Sequence, residues 1–204
     1  MLTELTIKDF LAKTAGNDPV PGGGSVSALN GALASALAEM VAGLTIGRKK
    51  YAEYEEEMKG LATHFEQVRQ QLIEDVDRDS DAYNRVFAAF KLPKETDEEK
   101  AARSAAIQKE TKYAAEVPMD VARKVCAVLP LLEQLVHKGN HACVATMCAR
   151  TAILGALMNV RINLSSIQDE EYVRHMEAEA KELEQKAIET EQQVLNHLKH
   201  ILAL

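Results

Sequence analysis

The 204-residue chain has no tryptophan, and Phe and Tyr together make up only 4% of it. Aromatic anchors are scarce, so a core has to be aliphatic, and a 47% hydrophobic content is ample for one. Cysteine is nearly absent. Cys126, Cys143 and Cys148 are an odd set with no paired framework, and the N-terminus carries no secretory pattern, so a reducing cytoplasm is expected. An excess of basic charge is missing too. Lys and Arg number 24 against 31 Asp and Glu, a net charge of −7, which argues against nucleic acid or an anionic membrane as the main partner. No run of 18 charge-free apolar residues has membrane character. Positions 25–38 come closest, but they are mostly Ala, Ser and Gly and are followed by Glu39. No segment alternates with the period of a strand, and no internal repeat or low-complexity linker interrupts the chain.

What is present is helical periodicity. Residues 4–14 read as a short amphipathic helix with Thr6 as N-cap and Phe10 and Leu11 facing inward. Residues 25–46 form an Ala-rich segment, apolar all round, with Gly47 placed to end it. Residues 51–90 look like one long helix whose apolar stripe runs Leu61, Phe65, Val68, Leu72, Val76, Tyr83, Val86, Phe87 and Phe90. Thr96 and Glu99 match a capping box that opens the next helix, and Pro118 and Pro130 should kink or restart it. Gly139-Asn140 breaks the chain. Residues 141–164 are again nearly all apolar, and residues 169–202 form a charged helix with the stripe Val173, Met176, Ala180, Leu183, Ala187, Val194, Leu198 and Ile201.

The expected fold is therefore all-α. It is a single-domain helical bundle over residues 1–204, with two central apolar helices paired inside long amphipathic outer ones. Two such apolar helices leave few polar faces to cover them, which predicts a homodimer.

The organising stretch is Pro21-Gly22-Gly23-Gly24-Ser25-Val26. Three glycines allow a tight turn and a close approach. Ser25 is placed to cap the helix that follows, and the helix start offers a seat for an anion or a polarised carbonyl. It lacks the Lys-Ser/Thr ending of a phosphate-binding loop and no strand precedes it. A plain loop before a closely packed helix remains the alternative.

Asp75, Asp77, Asp79 and Asp81 form an acid cluster in mid-helix. It reads either as a solvated face or as a carboxylate turned inward beside the glycine loop, fit for general-base work or for anchoring a substrate amide. Asn159 and Asn163 are one helical turn apart in an apolar helix. A buried amide must be hydrogen-bonded, so they serve either a helix contact or a bound heterocycle. His137, His141 and Cys143 match no zinc spacing, and no metal is expected. Arg48, Lys49 and Lys50 are either an anion patch or ordinary charge at a helix C-terminus.

In order and spacing, the chain resembles the cyclodeaminase/cyclohydrolase family, the C-terminal domain of formiminotransferase-cyclodeaminase and its free-standing bacterial relatives. The resemblance rests on Pro21 to Val26, then Leu44-Thr45-Ile46-Gly47, Asp79-x-x-Ala82-Tyr83 and Leu92-Pro93-Lys94. It continues through Ala115-x-Val117-Pro118, Gly139-Asn140, Gly155-Ala156 and Asn159-Val160-x-Ile162-Asn163-Leu164.

That resemblance implies an all-α dimer that binds a tetrahydrofolate derivative as substrate, with no bound cofactor and no metal. It makes Asp79 the acid/base group. It assigns Pro21, Gly22, Gly23, Gly24, Ser25, Tyr83, Asn140, Asn159 and Asn163 to the substrate site. The reaction implied is hydrolysis of 5,10-methenyltetrahydrofolate to 10-formyltetrahydrofolate, favoured for a chain without a formiminotransferase domain. Cyclodeamination of formiminotetrahydrofolate is the alternative. One departure stands out: Ala145-Thr146 occupies the place of a family Ser-Asp pair. It raises the further alternative of a folate-binding relative without catalysis.

Overall fold

Helices form where the apolar periodicity puts them. The structure is a computed structural model that describes residues 1–137 and 142–202. Its α-helices are α1 (Ile7–Thr14), α2 (Gly23–Thr45), α3 (Glu55–Phe90), α4 (Asp97–His137), α5 (Cys143–Leu164) and α6 (Glu170–Leu202). Among the described residues there is no strand. Helix α2 lies against α3, α5 and α4, and α6 packs across α5 and α4.

The caps follow the sequence at the starts of α1 and α4, and a third side-chain cap begins α6. The Thr6 hydroxyl accepts from the Asp9 N–H at 3.2 Å and begins α1. Thr96 and Glu99 bond reciprocally to each other's backbone N–H, at 3.2 and 3.1 Å, and begin α4. Asp169 accepts from the Tyr172 N–H at 3.0 Å and begins α6. Helix α2 is different. It starts at Gly23 with Gly22 as N-cap, and the Ser25 side chain makes no cap bond. The residue after Ile46 behaves as expected: Gly47 has φ +73°, which suits glycine.

Helices α2 and α5 are central, as the sequence suggests, and small residues bring their backbones together. A Cβ added to Gly155 would come within 2.5 Å of the Ser27 hydroxyl. One added to Gly31 would meet a Val125 methyl at 2.7 Å. Neither helix is enclosed all round, however. Helix α2 leaves Leu33, Met40 and Leu44 exposed, and α5 leaves Val144, Met147, Met158 and Ile162 exposed. Their neighbours cover one side only. By length and composition alone both helices could cross a membrane, where the sequence had suggested no such run. In this fold, part of each is instead core, with Ala28, Ala38, Ala42, Ala149, Ala152 and Ala156 fully buried.

Other expectations change in detail. Leu11 is 60% exposed although Phe10 is buried, because adjacent helical residues point about 100° apart and α1 has only one covered face. Residues Lys49–Tyr54 form a 3-10 helix, with Tyr51 out of helical geometry, before α3 starts at Glu55. The α3 stripe is buried from Leu61 to Val76, but Tyr83, Phe87 and Phe90 are exposed. Pro118 and Pro130 both lie inside one continuous α4. Pro118 has no N–H to give the Ala114 carbonyl. The Asn163 side-chain amide donates to that carbonyl instead, at 3.0 Å.

Candidate active site

The four aspartates of α3 go to four different environments, because steps of two residues turn them around the helix. Asp75 is buried and ion-paired with Lys124 of α4 at 2.5 Å and with Arg78 at 3.3 Å. Asp77 accepts from the Leu2 N–H and, at 2.7 Å, from the Thr3 hydroxyl, which ties the N-terminal segment to α3. Asp81 is exposed. Asp79 alone turns toward the glycine loop.

There it occupies the seat that the start of α2 creates. Asp79 Oδ2 accepts from the Ser25 N–H at 2.7 Å and from the Ser25 hydroxyl at 3.0 Å. A side chain from another helix thus caps α2, and the anion at this positive helix end belongs to the protein itself. Gly24 makes the approach possible: a Cβ built there would lie 1.9 Å from Asp79 Oδ1. The Ser25 hydroxyl also stands 2.9 Å from the Val76 carbonyl and 3.2 Å from the Ser80 hydroxyl. It has one proton to give, so it can donate to Asp79 or turn to Val76. Burial pushes the Asp79 carboxyl above the ordinary aspartate value, and the two Ser25 bonds offset part of that rise.

Around Asp79 lies a cleft of about 290 Å³. Its wall is formed by the glycine loop, by Tyr83 and Val86 of α3, and by Asn159, Ile162 and Asn163 of α5. Gly22, Gly23, Gly24, Asp79, Tyr83, Asn159 and Asn163 come together here, as the resemblance implied. Pro21 and Ser25 are buried behind the wall, and the Val20–Pro21 peptide bond is cis. Asn140 lies outside the described residues.

The two asparagine amides are partly committed within the fold. Asn159 donates to the Gly155 carbonyl at 2.8 Å, and Asn163 donates to the carbonyls of Ala114 and Asn159 at 3.0 Å each. What they offer a ligand is chiefly the acceptor end of the amide. Val86 and Ile162 were missed as lining residues. Val86 lies seven residues after Asp79, and Ile162 three after Asn159, so helical spacing was the available signal.

Two sequence candidates fall elsewhere. Arg48, Lys49 and Lys50 follow the far end of α2, about 33 Å from Gly23 at 1.5 Å per residue. Ala145 and Thr146 are fully buried near the start of α5, about 20 Å along the helix from Asn159. The departure at those positions leaves the Asp79 cleft of this chain intact. Among the described residues no group of three His, Cys, Asp or Glu side chains could hold a metal ion.

Comparison with known proteins identifies the family of the chain. The family model described as formiminotransferase-cyclodeaminase matches residues 6–182. A methenyltetrahydrofolate cyclohydrolase of Methylorubrum extorquens is 38% identical over 203 residues, covering 94% of this chain and 98% of that protein. The mouse formimidoyltransferase-cyclodeaminase is 36% identical over 174 residues, covering 83% of this chain but only 32% of that longer protein. The crystal structure of a formiminotetrahydrofolate cyclodeaminase from Thermotoga maritima superposes with a TM-score of 0.87 at 31% identity, covering 99% of this chain and 100% of its own. This chain belongs to the formiminotransferase-cyclodeaminase family.

Proposed function

We propose that this chain is a folate one-carbon enzyme that hydrolyses 5,10-methenyltetrahydrofolate to 10-formyltetrahydrofolate. The observation that carries the reading is the half-buried Asp79 carboxylate, held at the start of α2 on the wall of a cleft with two asparagines. A relative that is a methenyltetrahydrofolate cyclohydrolase, aligned over nearly its full length, supports it.

The chemistry suits the group. The methenyl carbon lies between two nitrogens and is electrophilic and cationic. Water adds to it while Asp79 takes the water's proton, and the carboxylate offsets the cation's charge. The protonated Asp79 then gives that proton to N5 as the N5–carbon bond breaks. The added hydroxyl loses its own proton to solvent, and a formyl group is left on N10. A carboxyl raised above its ordinary value is better suited to both steps than a fully solvated one. The reaction is followed by loss of the methenyl absorbance in the near ultraviolet. No acceleration over buffer, at a pH where the spontaneous reaction is slow, would sink the reading.

The Thermotoga neighbour, a formiminotetrahydrofolate cyclodeaminase, favours a second reading. Here the same Asp79 protonates the departing amine, and ammonia release from 5-formiminotetrahydrofolate is the test. Folate binding by calorimetry with neither turnover would mark a relative that has lost catalysis.

A homodimer is part of the proposal. The exposed apolar residues of α2 and α5 form the face a second copy would cover, and Ile162 belongs both to that face and to the cleft. A sedimentation measurement giving only monomer at micromolar concentration would exclude it. The enzyme needs no bound cofactor in this scheme, and full activity after dialysis against chelator tests that. A cytoplasmic location is also proposed, and recovery in a membrane fraction would contradict it.

A further inference from the structure

Asp79, Tyr83 and Phe87 of α3 and Lys91, its C-cap, follow one another at intervals of four, so each is within reach of the next along a stripe that winds about 40° around the helix at each step. Asp79 and Tyr83 line the cleft. The Tyr83 and Phe87 rings stack with centroids 6.3 Å apart and planes inclined by 14°. Lys91 folds back so that its Nζ sits 4.2 Å from the Phe87 ring centroid. The stripe leads from the carboxylate at the cleft, over two rings, to a cation. Tyr83 is 41% and Phe87 50% exposed, so the rings present open area to a ligand.

Most other cations standing on rings in this chain have an oxygen partner. Arg85 pairs with Glu110, Lys112 with Asp169, and Arg103 donates to the Phe90 carbonyl. Among the described residues no carboxylate pairs with Lys91. The helix C-terminus favours a cation at this position, but it does not account for an exposed aromatic ladder that joins the cation to the cleft.

We propose that this stripe is the subsite for the p-aminobenzoylglutamate part of the substrate. The benzoyl ring would lie on Tyr83 and Phe87, and a glutamate carboxylate would meet Lys91. The proposal rests on the folate reading of the cleft. The lengths agree. Phe87, over which the ammonium lies, is eight residues and about 12 Å from Asp79. A benzoyl ring, one amide and a glutamate side chain reach roughly as far from N10 by ordinary bond lengths. Charge complementarity fixes the direction, with the cationic one-carbon centre at Asp79 and the anionic tail at Lys91. The other basic cluster, Arg48-Lys49-Lys50, follows the far end of α2 and lies too far away to serve the same molecule.

The test uses the full chain with Lys91→Ala, Lys91→Glu and Phe87→Ala. Calorimetry gives Kd for 5-formyltetrahydrofolate and for 5-formyltetrahydropteroate, which lacks the glutamate. Turnover of methenyltetrahydrofolate is measured in parallel. Lys91→Ala should weaken the folate about three- to fivefold, as expected for an exposed ion pair, and Lys91→Glu should weaken it further. Both should leave the pteroate unchanged. Phe87→Ala should weaken both ligands about three- to tenfold. Values of KM should follow Kd with kcat unchanged.

Equal folate affinity in the parent and both Lys91 variants would overturn the subsite while leaving the folate reading standing, provided turnover is seen. Lys91-dependent folate binding without turnover would overturn the catalytic reading and keep the subsite. No binding of either compound would overturn both. If Phe87→Ala changed the oligomeric state and not Kd, the stripe would be a subunit contact and the proposal would fail.

Discussion

Asp79 caps a helix it does not belong to: its Oδ2 accepts the Ser25 N–H at 2.7 Å and the Ser25 hydroxyl at 3.0 Å. The bond pins α3 to the start of α2 and fixes one carboxylate oxygen. The other lies against Gly24 at the cleft. One residue therefore supports the fold and is placed for chemistry, and the two roles can be separated by substitution.

Asp79→Asn retains an oxygen that can accept from Ser25, so the fold should persist while turnover falls about 100-fold or more. Stability follows a definite sign. Burial raises the folded carboxyl above its unfolded value, so the folded state binds the proton more tightly. The stabilisation this proton gives is fully present below the unfolded pKa and is lost as pH rises through the folded one. An Asn is neutral at every pH and avoids that loss. Its advantage over the parent should therefore grow with pH through that window and level off above the folded pKa. Denaturant titrations across the pH range check this. Activity within twofold of the parent would remove Asp79 from the mechanism.

Ser25→Ala should shift the pH profile more than it disturbs the fold. The Ser25 hydroxyl bond lowers the Asp79 pKa, so its removal raises that pKa further. If ionised Asp79 is the base, the acid limb of the kcat/KM profile should move to higher pH. The stability cost should be about 1 kcal/mol, the net worth of a typical hydrogen bond. An acid limb that stays in place would show that Ser25 does not tune Asp79.

Gly24→Ala tests the close approach. Its Cβ would fall 1.9 Å from Asp79 Oδ1 and 2.5 Å from the carboxyl carbon. The carboxylate would have to leave Ser25, at a cost of about 1–3 kcal/mol by the usual measure of overpacking. Activity should fall nearly as far as in Asp79→Asn. A fully active, equally stable Gly24→Ala variant would contradict the geometry.

The glycine run was legible as the place where something comes close, but not what. Residue spacing gave Asp79 and Tyr83 one face of α3, and Asn159 and Asn163 one face of α5. It could not turn those faces toward each other, because helix rotation is set by tertiary packing. Ser25 illustrates the difficulty. Its residue type and place suited an N-cap, yet a carboxylate 54 positions away took that role, and local sequence holds no trace of it. Neither Pro118 nor Pro130 ends α4, for a related reason: breaking propensity is local, and a distant donor can relieve the lost bond at one of them. The exposed sides of α2 and α5 were likewise hidden, since composition reports how apolar a helix is and not which neighbours cover it.

The pairing of Pro118 with Asn163 can be measured directly. Proline leaves the Ala114 carbonyl without its helical N–H, and Asn163 Nδ2 supplies the bond at 3.0 Å while also donating to the Asn159 carbonyl. Ala114 is only 8% exposed, so water is a poor substitute. Asn163→Ala should therefore cost about 1–3 kcal/mol, the penalty for an unsatisfied buried acceptor. Pro118→Ala restores the backbone donor, and in that background the same Asn163→Ala change should cost less. The double-mutant cycle isolates the coupling. Both single variants should be tested for turnover as well, because Asn163 lines the cleft. A Pro118→Ala background that recovers stability but not activity would assign Asn163 a second role at the ligand. Additive stability losses would show that the carbonyl finds its partner elsewhere.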